Sequence, residues 1–276
     1  MTGTTDDSGG DGGGEVLQNG PHRRVVRIGD TVRRPAAPWT PTVHALLAHL
    51  AAAGFPYAPR PLGFDERGRE VLTHIEGEAG PAGWARIVDD AGLAAFARLL
   101  RDYHEAVADF TPPPGAVWSA GPRPFEPGAG DIVCHGDFGP WNVVWREGRP
   151  VGLIDWDHAR PAPARHDVAY ALEYAAPFRD DAEAVRWLAH PGPPDRPRRI
   201  AHFCAAYGLP SADGMVDAVA RAQRETTEVV RRLAAAGHEP QATWAAEGHL
   251  RELDDRVAWT LAHRHLFRPR TTGDRE

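Results

Sequence analysis

The sequence contains no lysine, and all 31 of its basic residues are arginines. This absence excludes a catalytic lysine anywhere in the chain. Together with the abundance of alanine, glycine and proline, it indicates a coding bias toward GC-rich codons. Arginine content is therefore weak support for any particular function.

Cysteine and long apolar runs are also scarce. Only Cys134 and Cys204 are present, and their separation predicts neither a disulfide framework nor a zinc site. There is no charged-then-apolar leader and no apolar run near 18 residues in length. We therefore expect a protein of the reducing cytoplasm that is neither exported nor membrane-spanning.

The charge balance is mildly acidic, with a net charge of -7 and an isoelectric point near 6.0. This argues against a nucleic-acid binder or a binder of anionic membranes, and mildly favours a cationic partner. A chain of 276 residues is long enough for two lobes that share one active site. We expect a monomer or a weak homodimer.

Residues 131–157 concentrate the side chains that could do chemistry. A short apolar run ends in His135-Gly136-Asp137, and Asn142 follows a Gly-Pro turn. Two β-rich segments joined by Glu-Gly then predict a hairpin, whose second strand ends at Asp155. Antiparallel pairing brings the two ends of a hairpin together, so Asn142 and Asp155 should be neighbours.

Two carboxylates and an amide supply the oxygen ligands that Mg²⁺ prefers. A His-Gly-Asp triplet alone is also a common turn, and an Asp after a strand often only begins a loop. The joint pattern of order, spacing and flanking strands is much harder to obtain by chance. It favours a site at which Asp137, Asn142 and Asp155 act together.

The spacing from Asp137 to Asn142 is that of the protein-kinase catalytic loop, with Gly136 where that loop has arginine. With Asp155-Trp156-Asp157 after the second strand, the segment resembles the aminoglycoside phosphotransferase family of kinase-like enzymes. The resemblance implies that Asp137 is the catalytic base and that His135 braces its loop. It also implies Asn142 and Asp155 as metal ligands and Asp157 as an accessory ligand.

This resemblance implies a two-lobe, protein-kinase-like α+β fold. Residues 20–76 would form a small antiparallel-sheet lobe that binds the nucleotide, and residues 77–276 a mainly helical lobe with the catalytic and substrate-binding groups. Residues 1–19 are small, polar and glycine-rich, which predicts a disordered tail. A phosphate-binding loop at residues 9–14 is not favoured, because no strand precedes it and no helix follows.

Nucleotide binding in this family uses a cation on a strand of the small lobe. A predicted hairpin turning at Gly29-Asp30 offers Arg33 and Arg34 on opposite faces of its second strand. Alignment with the family favours Arg33, although both arginines could be surface charges. The backbone around Thr73 and Ile75 would hold the adenine ring between the lobes.

The helix predicted over residues 41–53 lacks the glutamate with which the family pairs that cation. Beyond residue 77 the pattern predicts helices over residues 88–110, 181–188, 196–207, 212–235 and 241–266. Asp167, before another helix, either braces the catalytic loop, as the resemblance implies, or caps its helix. Several acidic residues could meet ammonium groups of a substrate or form a solvated face: Glu173, Asp180, Asp181, Glu252, Asp254 and Asp255.

The reaction implied is transfer of the γ-phosphoryl group of ATP, with GTP as an alternative, to a hydroxyl of a small molecule, with Mg²⁺ as cofactor. A cationic acceptor is one of the options. An antibiotic-modifying enzyme and a metabolic kinase acting on choline, homoserine or a sugar-like alcohol share every motif above. A third reading is a kinase-fold binding or immunity protein without catalysis. The missing helix glutamate favours that reading slightly, whereas the intact Asp137, Asn142 and Asp155 favour an enzyme.

Overall fold

A five-stranded antiparallel sheet forms the N-terminal part of the molecule. The structure is a computed structural model that describes residues 13–20, 23–121, 125–126 and 130–268. The sheet order is β1-β2-β3-β5-β4, with every neighbouring pair antiparallel. Its strands are β1 Glu15–Gly20, β2 Arg23–Ile28, β3 Thr31–Arg34, β4 Pro61–Phe64 and β5 Glu70–Thr73.

The prediction of a disordered tail is wrong for residues 15–19. These residues belong to β1, which pairs with β2 from Glu15 opposite Arg27 to Gly20 opposite Arg23. Strand β1 is mostly exposed, because it lies at an edge and is ordered by backbone hydrogen bonds rather than by burial. A polar composition therefore did not prevent strand formation, and residues 1–12 lie outside the described residues.

Helix α1, Thr40–Ala52, follows β3 and carries the predicted apolar stripe. Val43, Leu46, Leu47 and Leu50 are all buried in the hydrophobic core. Thr40 begins the helix one residue earlier than predicted, and its Oγ1 accepts a hydrogen bond of 2.9 Å from the backbone N–H of Ala37.

The remainder of the chain is mainly helical, as predicted. Its helices are α2 Ala82–Arg86, α3 Asp90–Val107, α4 Arg165–Ala175, α5 Asp181–Trp187, α6 Arg196–Tyr207, α7 Met215–Ala235, α8 Gln241–Ala246 and α9 His249–Ala262. Helix α3 begins two residues later than predicted, because Asp89 caps it by accepting a hydrogen bond of 2.7 Å from Gly92 N–H.

Two segments differ from the prediction in kind. The single helix predicted over residues 241–266 is divided into α8 and α9, because Gly248 adopts a left-handed conformation with φ of 94°. In a segment for which the sequence analysis gives no strand, Arg160–Pro163 form strand β9, which pairs with β6, Asp131–Cys134. The predicted hairpin is present as β7 Val143–Arg146 and β8 Arg149–Leu153.

The two parts of the chain meet close to the predicted boundary at residue 76. Glu78 and Trp145 exchange backbone hydrogen bonds of 2.8 Å in each direction, which ties the connecting segment to β7. The exact division into lobes stays a prediction. Among the helices that the structure describes, none combines the length and apolar character needed to cross a membrane.

Candidate active site

Asp137 lies in the loop between β6 and β7, and two side chains hold its carboxylate. The hydroxyl of Tyr170 in α4 donates to Oδ1 at 2.5 Å, and the Nδ2 of Asn142 donates to Oδ2 at 2.9 Å. The same Nδ2 also donates to the backbone carbonyl of Asp137 at 2.9 Å. Each oxygen of Asp137 thus has a fixed donor, which sets the orientation of the carboxylate.

The β7–β8 hairpin brings Asn142 and Asp155 together, as the sequence predicts. Val143 lies opposite Leu153, and the backbone N–H of Ile154 donates to the carbonyl of Asn142 at 2.9 Å. Asp155 follows directly in a left-handed conformation, with φ of 64°. Since residues with a side chain rarely adopt this conformation, the backbone is strained at this position of the site.

Gly136 allows the loop to pass close to the segment that follows Asp155. Its φ is 78°, and a Cβ atom at this position would lie 2.0 Å from the backbone oxygen of His158. Only glycine fits such a contact without moving the backbone. The glycine that stands in place of the kinase arginine is therefore required by the local packing.

Asp167, in the first turn of α4, accepts hydrogen bonds from the loop that carries Asp137. Its Oδ2 accepts from His135 N–H at 2.7 Å and its Oδ1 from Gly136 N–H at 2.9 Å. Burial would raise the pKa of Asp167, but the hydrogen bond and charge of His104 and the nearby His166 and His135 hold it at about 2. Asp167 does not cap α4, whose capping position is Ala164.

His135 is fully buried and spans the same loop. Its Nε2 lies 3.0 Å from the carbonyl oxygen of Ile154, and its Nδ1 accepts from Asp137 N–H at 3.3 Å. Burial lowers the pKa of His135 despite the surrounding carboxylates. The ring is therefore neutral, with the Nε2 proton donated to Ile154, and it joins the loop to the end of β8.

The cation that faces the site is Arg34, and the preference for Arg33 is wrong. Arg34 is buried, and its terminal nitrogens contact Asp157 at 2.9 and 3.2 Å and Asp155 at 3.6 Å. Arg33 is instead directed to Thr31 and lies 3.9 Å from Asp65. Successive residues of a strand point to opposite faces, so a choice one residue away placed the wrong side chain in the site.

The glutamate missing from the helix is supplied by a strand. Glu70 of β5 is fully buried and hydrogen-bonds Arg34 Nε, and its other oxygen lies 3.0 Å from His44 Nε2 of α1. Burial would raise the pKa of Glu70, but His44 and Arg34 lower it. Sequence reasoning missed Glu70. The register of β3 against β5, which pairs Arg34 with Glu70, would have been the signal.

Thr73 and Ile75 lie where β5 leads into the connection between the two parts of the chain. The backbone N–H of Thr73 donates to the Arg60 carbonyl at 3.0 Å, and its Oγ1 accepts from Arg60 N–H at 2.8 Å. Ile75 packs against Gly152 of β8, where a Cβ atom would approach the Ile75 side chain to 2.7 Å. Their role in holding a nucleotide base stays a prediction.

Asp157, predicted as an accessory ligand, is held by Arg34 as described above, and its backbone oxygen accepts a hydrogen bond of 2.5 Å from Ser119.

A separate group of possible metal ligands, His104, Cys134 and Asp167, has its ligand atoms within 4.8 Å of one another. Burial raises the pKa of the Cys134 thiol well above its ordinary value, so the thiol stays protonated. Within the protein, His104 Nε2 lies 3.2 Å from Asp167 Oδ2, and the Cys134 thiol donates to the carbonyl oxygens of Ala162 and Pro163 at 3.5 Å.

Comparison with known proteins identifies the family. The model of the phosphotransferase enzyme family matches residues 117–203, which include the whole of the loop and hairpin described above. The trifolitoxin immunity protein of Rhizobium leguminosarum bv. trifolii is 35% identical over 262 residues, which cover 91% of this chain and 96% of the relative. The chain belongs to the phosphotransferase enzyme family.

Solved structures confirm the kinase-like α+β fold of this family member. An aminoglycoside 2'-phosphotransferase-IIIa in complex with GDP superposes with a TM-score of 0.58 at 16% identity, covering 89% of this chain and 92% of that one. Amicoumacin kinase, solved with AMP-PNP, Ca²⁺ and amicoumacin, gives a TM-score of 0.59 at 11% identity, covering 91% and 88%. A choline/ethanolamine kinase family protein from Mesorhizobium loti gives 0.51 at 17% identity, covering 92% and 94%.

Proposed function

We propose that this phosphotransferase-family protein transfers the γ-phosphoryl group of ATP or GTP to a hydroxyl group of a small molecule. The observation that carries the proposal is the fixed carboxylate of Asp137, held by Tyr170 and Asn142 beside the end of the β7–β8 hairpin. A carboxylate whose two oxygens both have donors is oriented before the substrate arrives. Orientation is the main contribution that a protein makes to phosphoryl transfer.

In the proposed reaction, Asp137 orients the acceptor hydroxyl and receives its proton. The acceptor oxygen forms a bond to the γ-phosphorus, and the bond from that phosphorus to the bridging oxygen breaks. The electron pair leaves with the nucleoside diphosphate. Asp167 and His135 do not touch the reacting atoms and act by holding the loop that carries Asp137.

The residues at the hairpin end fit a hard divalent cation such as Mg²⁺. The Nδ2 of Asn142 is used by Asp137, which leaves Oδ1 as the atom available to a ligand, and the carboxylate of Asp155 lies at the other end of the hairpin. Both atoms are oxygen donors of the kind that Mg²⁺ prefers. The chemistry that such a cation supplies is neutralisation of charge on the phosphates.

Arg34 would meet the phosphates from the sheet side. It lies 3.6 Å from Asp155, and Glu70 and Asp157 fix both ends of its guanidinium group. Arginine presents a planar fork that suits phosphate oxygens, although its geometry differs from that of the usual lysine. Release of Arg34 from Asp157 would allow it to contact a bound nucleotide.

The test is ADP or GDP release by purified protein with Mg²⁺ and a panel of aminoglycosides, macrolides, amino alcohols and sugars, comparing wild type with Asp137→Asn. We expect acceptor-dependent release that falls at least about a thousandfold in the variant, while nucleotide affinity changes little, because the base acts on the acceptor. Asp109→Asn, an exposed position after α3, is the matched control. Near-normal turnover by Asp137→Asn would remove the assignment of the base.

A second candidate is a binding protein that confers immunity without catalysis, and the name of the immunity-protein relative favours it. The two candidates differ in what Asp137 does. For the binding protein, Mg²⁺-nucleotide binding would persist, no acceptor would stimulate ADP release, and Asp137→Asn would leave protection of a sensitive cell intact. Loss of protection in Asp137→Asn at unchanged protein level would support the enzyme.

A further inference from the structure

The acidic residues named as candidates for binding a cationic acceptor are mostly engaged by other groups of the protein. Glu173 lies 3.8 Å from Arg179 and 3.7 Å from Arg256, and Asp181 lies 2.8 Å from Arg196. Asp180 caps α5, and Asp254 and Glu252 pair with Arg231 and His249. Asp255 is exposed on α9. The expected acidic surface is therefore largely neutralised.

A group of aromatic rings extends from the catalytic carboxylate instead. Tyr170 hydrogen-bonds Asp137, and its ring lies 5.5 Å from that of Tyr174. Trp141 lies 4.8 Å from Tyr174, and Trp84 lies 5.6 Å from Tyr174 and 5.0 Å from Trp141. Trp84, Trp141 and Tyr174 are partly exposed, and their ring planes are inclined to one another by 45° to 88°, so they offer a contoured aromatic surface beside Tyr170.

One guanidinium group, that of Arg179, lies against this surface, and a second, that of Arg256, is close to the same carboxylate, Glu173. Arg179 is over the ring of Tyr174, with Cζ 5.1 Å from the ring centroid, and its side chain is 8% exposed. Its Nε and one terminal nitrogen have no hydrogen-bond partner within the part of the chain that the structure describes. Glu173 is the one carboxylate paired here with both Arg179 and Arg256, at distances too long for hydrogen bonds.

This arrangement leaves positive charge and unused donors in a mostly buried place. A buried donor without a partner is destabilising, and two arginines facing one carboxylate leave a net charge that an anion would balance. Carboxylates match the guanidinium fork particularly well. The chemistry therefore favours an anionic group on the ligand, contrary to the cationic partner suggested by the net charge of the whole chain.

We propose that the acceptor is a small hydroxyl compound that carries a planar ring and a carboxylate. The ring packs against Tyr174 and Trp141, the carboxylate binds Arg179 and Arg256, and the hydroxyl reaches Asp137. The acceptor role rests on the proposed phosphotransferase function, whereas the binding of an aromatic carboxylate does not. The two can therefore be tested separately.

The experiment uses three compounds that differ only at one end: para-(hydroxymethyl)phenylpropanoate, the corresponding propylamine, and para-propylbenzyl alcohol. ADP release is measured for wild type, Arg179→Gln and Arg256→Gln, with the exposed Arg186→Gln as the matched control. Binding of each compound to the Mg²⁺-nucleotide-loaded protein is measured in parallel by calorimetry. Nucleotide affinity of each variant reports whether it is folded.

We expect kcat/KM for the carboxylate to exceed that for the amine at least about tenfold. Arg179→Gln should lower it about 10- to 100-fold, mainly through KM, because a charge-assisted hydrogen bond to the ligand is lost. For the neutral alcohol, kcat/KM should differ less than about twofold between the wild type and Arg179→Gln. If Arg179→Gln does not fold, Arg256→Gln, which alters a more exposed residue, provides the same test. It should lower kcat/KM for the carboxylate and leave kcat/KM for the neutral alcohol nearly unchanged.

Preference for the amine, or an equal loss for all three compounds in Arg179→Gln, would overturn the inference. Absence of carboxylate binding would also overturn it. Arg179-dependent binding of the carboxylate without ADP release from any acceptor would support the binding site and refute the phosphotransferase function. Turnover of the amine that depends on Asp137 would support the phosphotransferase function and refute the carboxylate site.

Discussion

The hydroxyl of Tyr170 is the contact to Asp137 that comes from outside the catalytic loop. Burial raises the pKa of Tyr170 well above its ordinary value, and the charge of Asp137 acts in the same direction. The hydroxyl is therefore protonated at neutral pH and donates at 2.5 Å. Its removal leaves Asp137 with one side-chain donor, from its own loop.

We expect Tyr170→Phe to lower kcat about tenfold or more while the KM for nucleotide stays within about twofold. A hydrogen bond to a charged group contributes about 1.5 to 3 kcal/mol, and here it orients the base and does not touch the nucleotide. Steady-state kinetics measures both parameters. Tyr57→Phe, at a partly exposed position outside the segment 131–157, is the control. A change confined to KM would contradict the orienting role.

At the scale of elements, β3 presents two arginines to two different environments. Arg34 lies between Glu70, Asp155 and Asp157, whereas Arg33 faces Thr31 and Asp65. Because side chains alternate along a strand, Arg34 lies at the site and Arg33 lies on the opposite face of the sheet. This difference makes the two positions a matched pair for mutation.

We expect Arg34→Gln to raise the KM for nucleotide at least about tenfold and to lower the melting temperature. The buried Glu70 loses its arginine and keeps the contact with His44, and removal of one partner of a buried ion pair is destabilising. Arg33→Gln should change both quantities little, because the ion pair with Asp65 is partly exposed. Kinetics and thermal unfolding of the two variants measure the difference. An equal effect of both substitutions would show that Arg34 has no special relation to the nucleotide.

The elements also show which contacts can be predicted from residues that are close together in the sequence. The relation of Asp137, Asn142 and Asp155 could be predicted, because a short loop and one hairpin bring them together. The pairing of Arg34 with Glu70 could not, because the two residues are 36 positions apart and meet through the register of two strands. The order of β1 was likewise missed, since its partner β2 stabilises it from outside.

The same distinction applies to the aromatic surface that we propose for the acceptor. Tyr170, Tyr174 and Trp141 come from α4 and the catalytic loop, yet their contact with Trp84 depends on packing between distant segments. Neither Arg179 nor Arg256 carries any local signal in a chain whose basic residues are all arginines. Their function as partners of Glu173 becomes visible in the folded molecule alone.

At the scale of the whole molecule, buried histidines link stability to pH. Burial lowers the pKa of His190 to about 4, and the neighbouring Arg199 and Arg196 act in the same direction. In the unfolded chain a histidine titrates near 6.5. As the pH falls below that value, the unfolded chain takes up a proton that the folded protein does not, so stability is present above pH 6.5 and is lost down to about pH 4.

We therefore expect the free energy of unfolding of the wild type to fall between pH 7 and pH 4, with His190 contributing at most about 3 kcal/mol of the loss. In His190→Gln this contribution should vanish, so the variant becomes less sensitive to acid even if it is less stable at neutral pH. Urea unfolding at a series of pH values measures the slope. His238→Gln, at an exposed position, should keep the slope of the wild type. An unchanged slope in His190→Gln would mean that the His190 ring is protonated in the folded protein despite its burial beside Arg199 and Arg196.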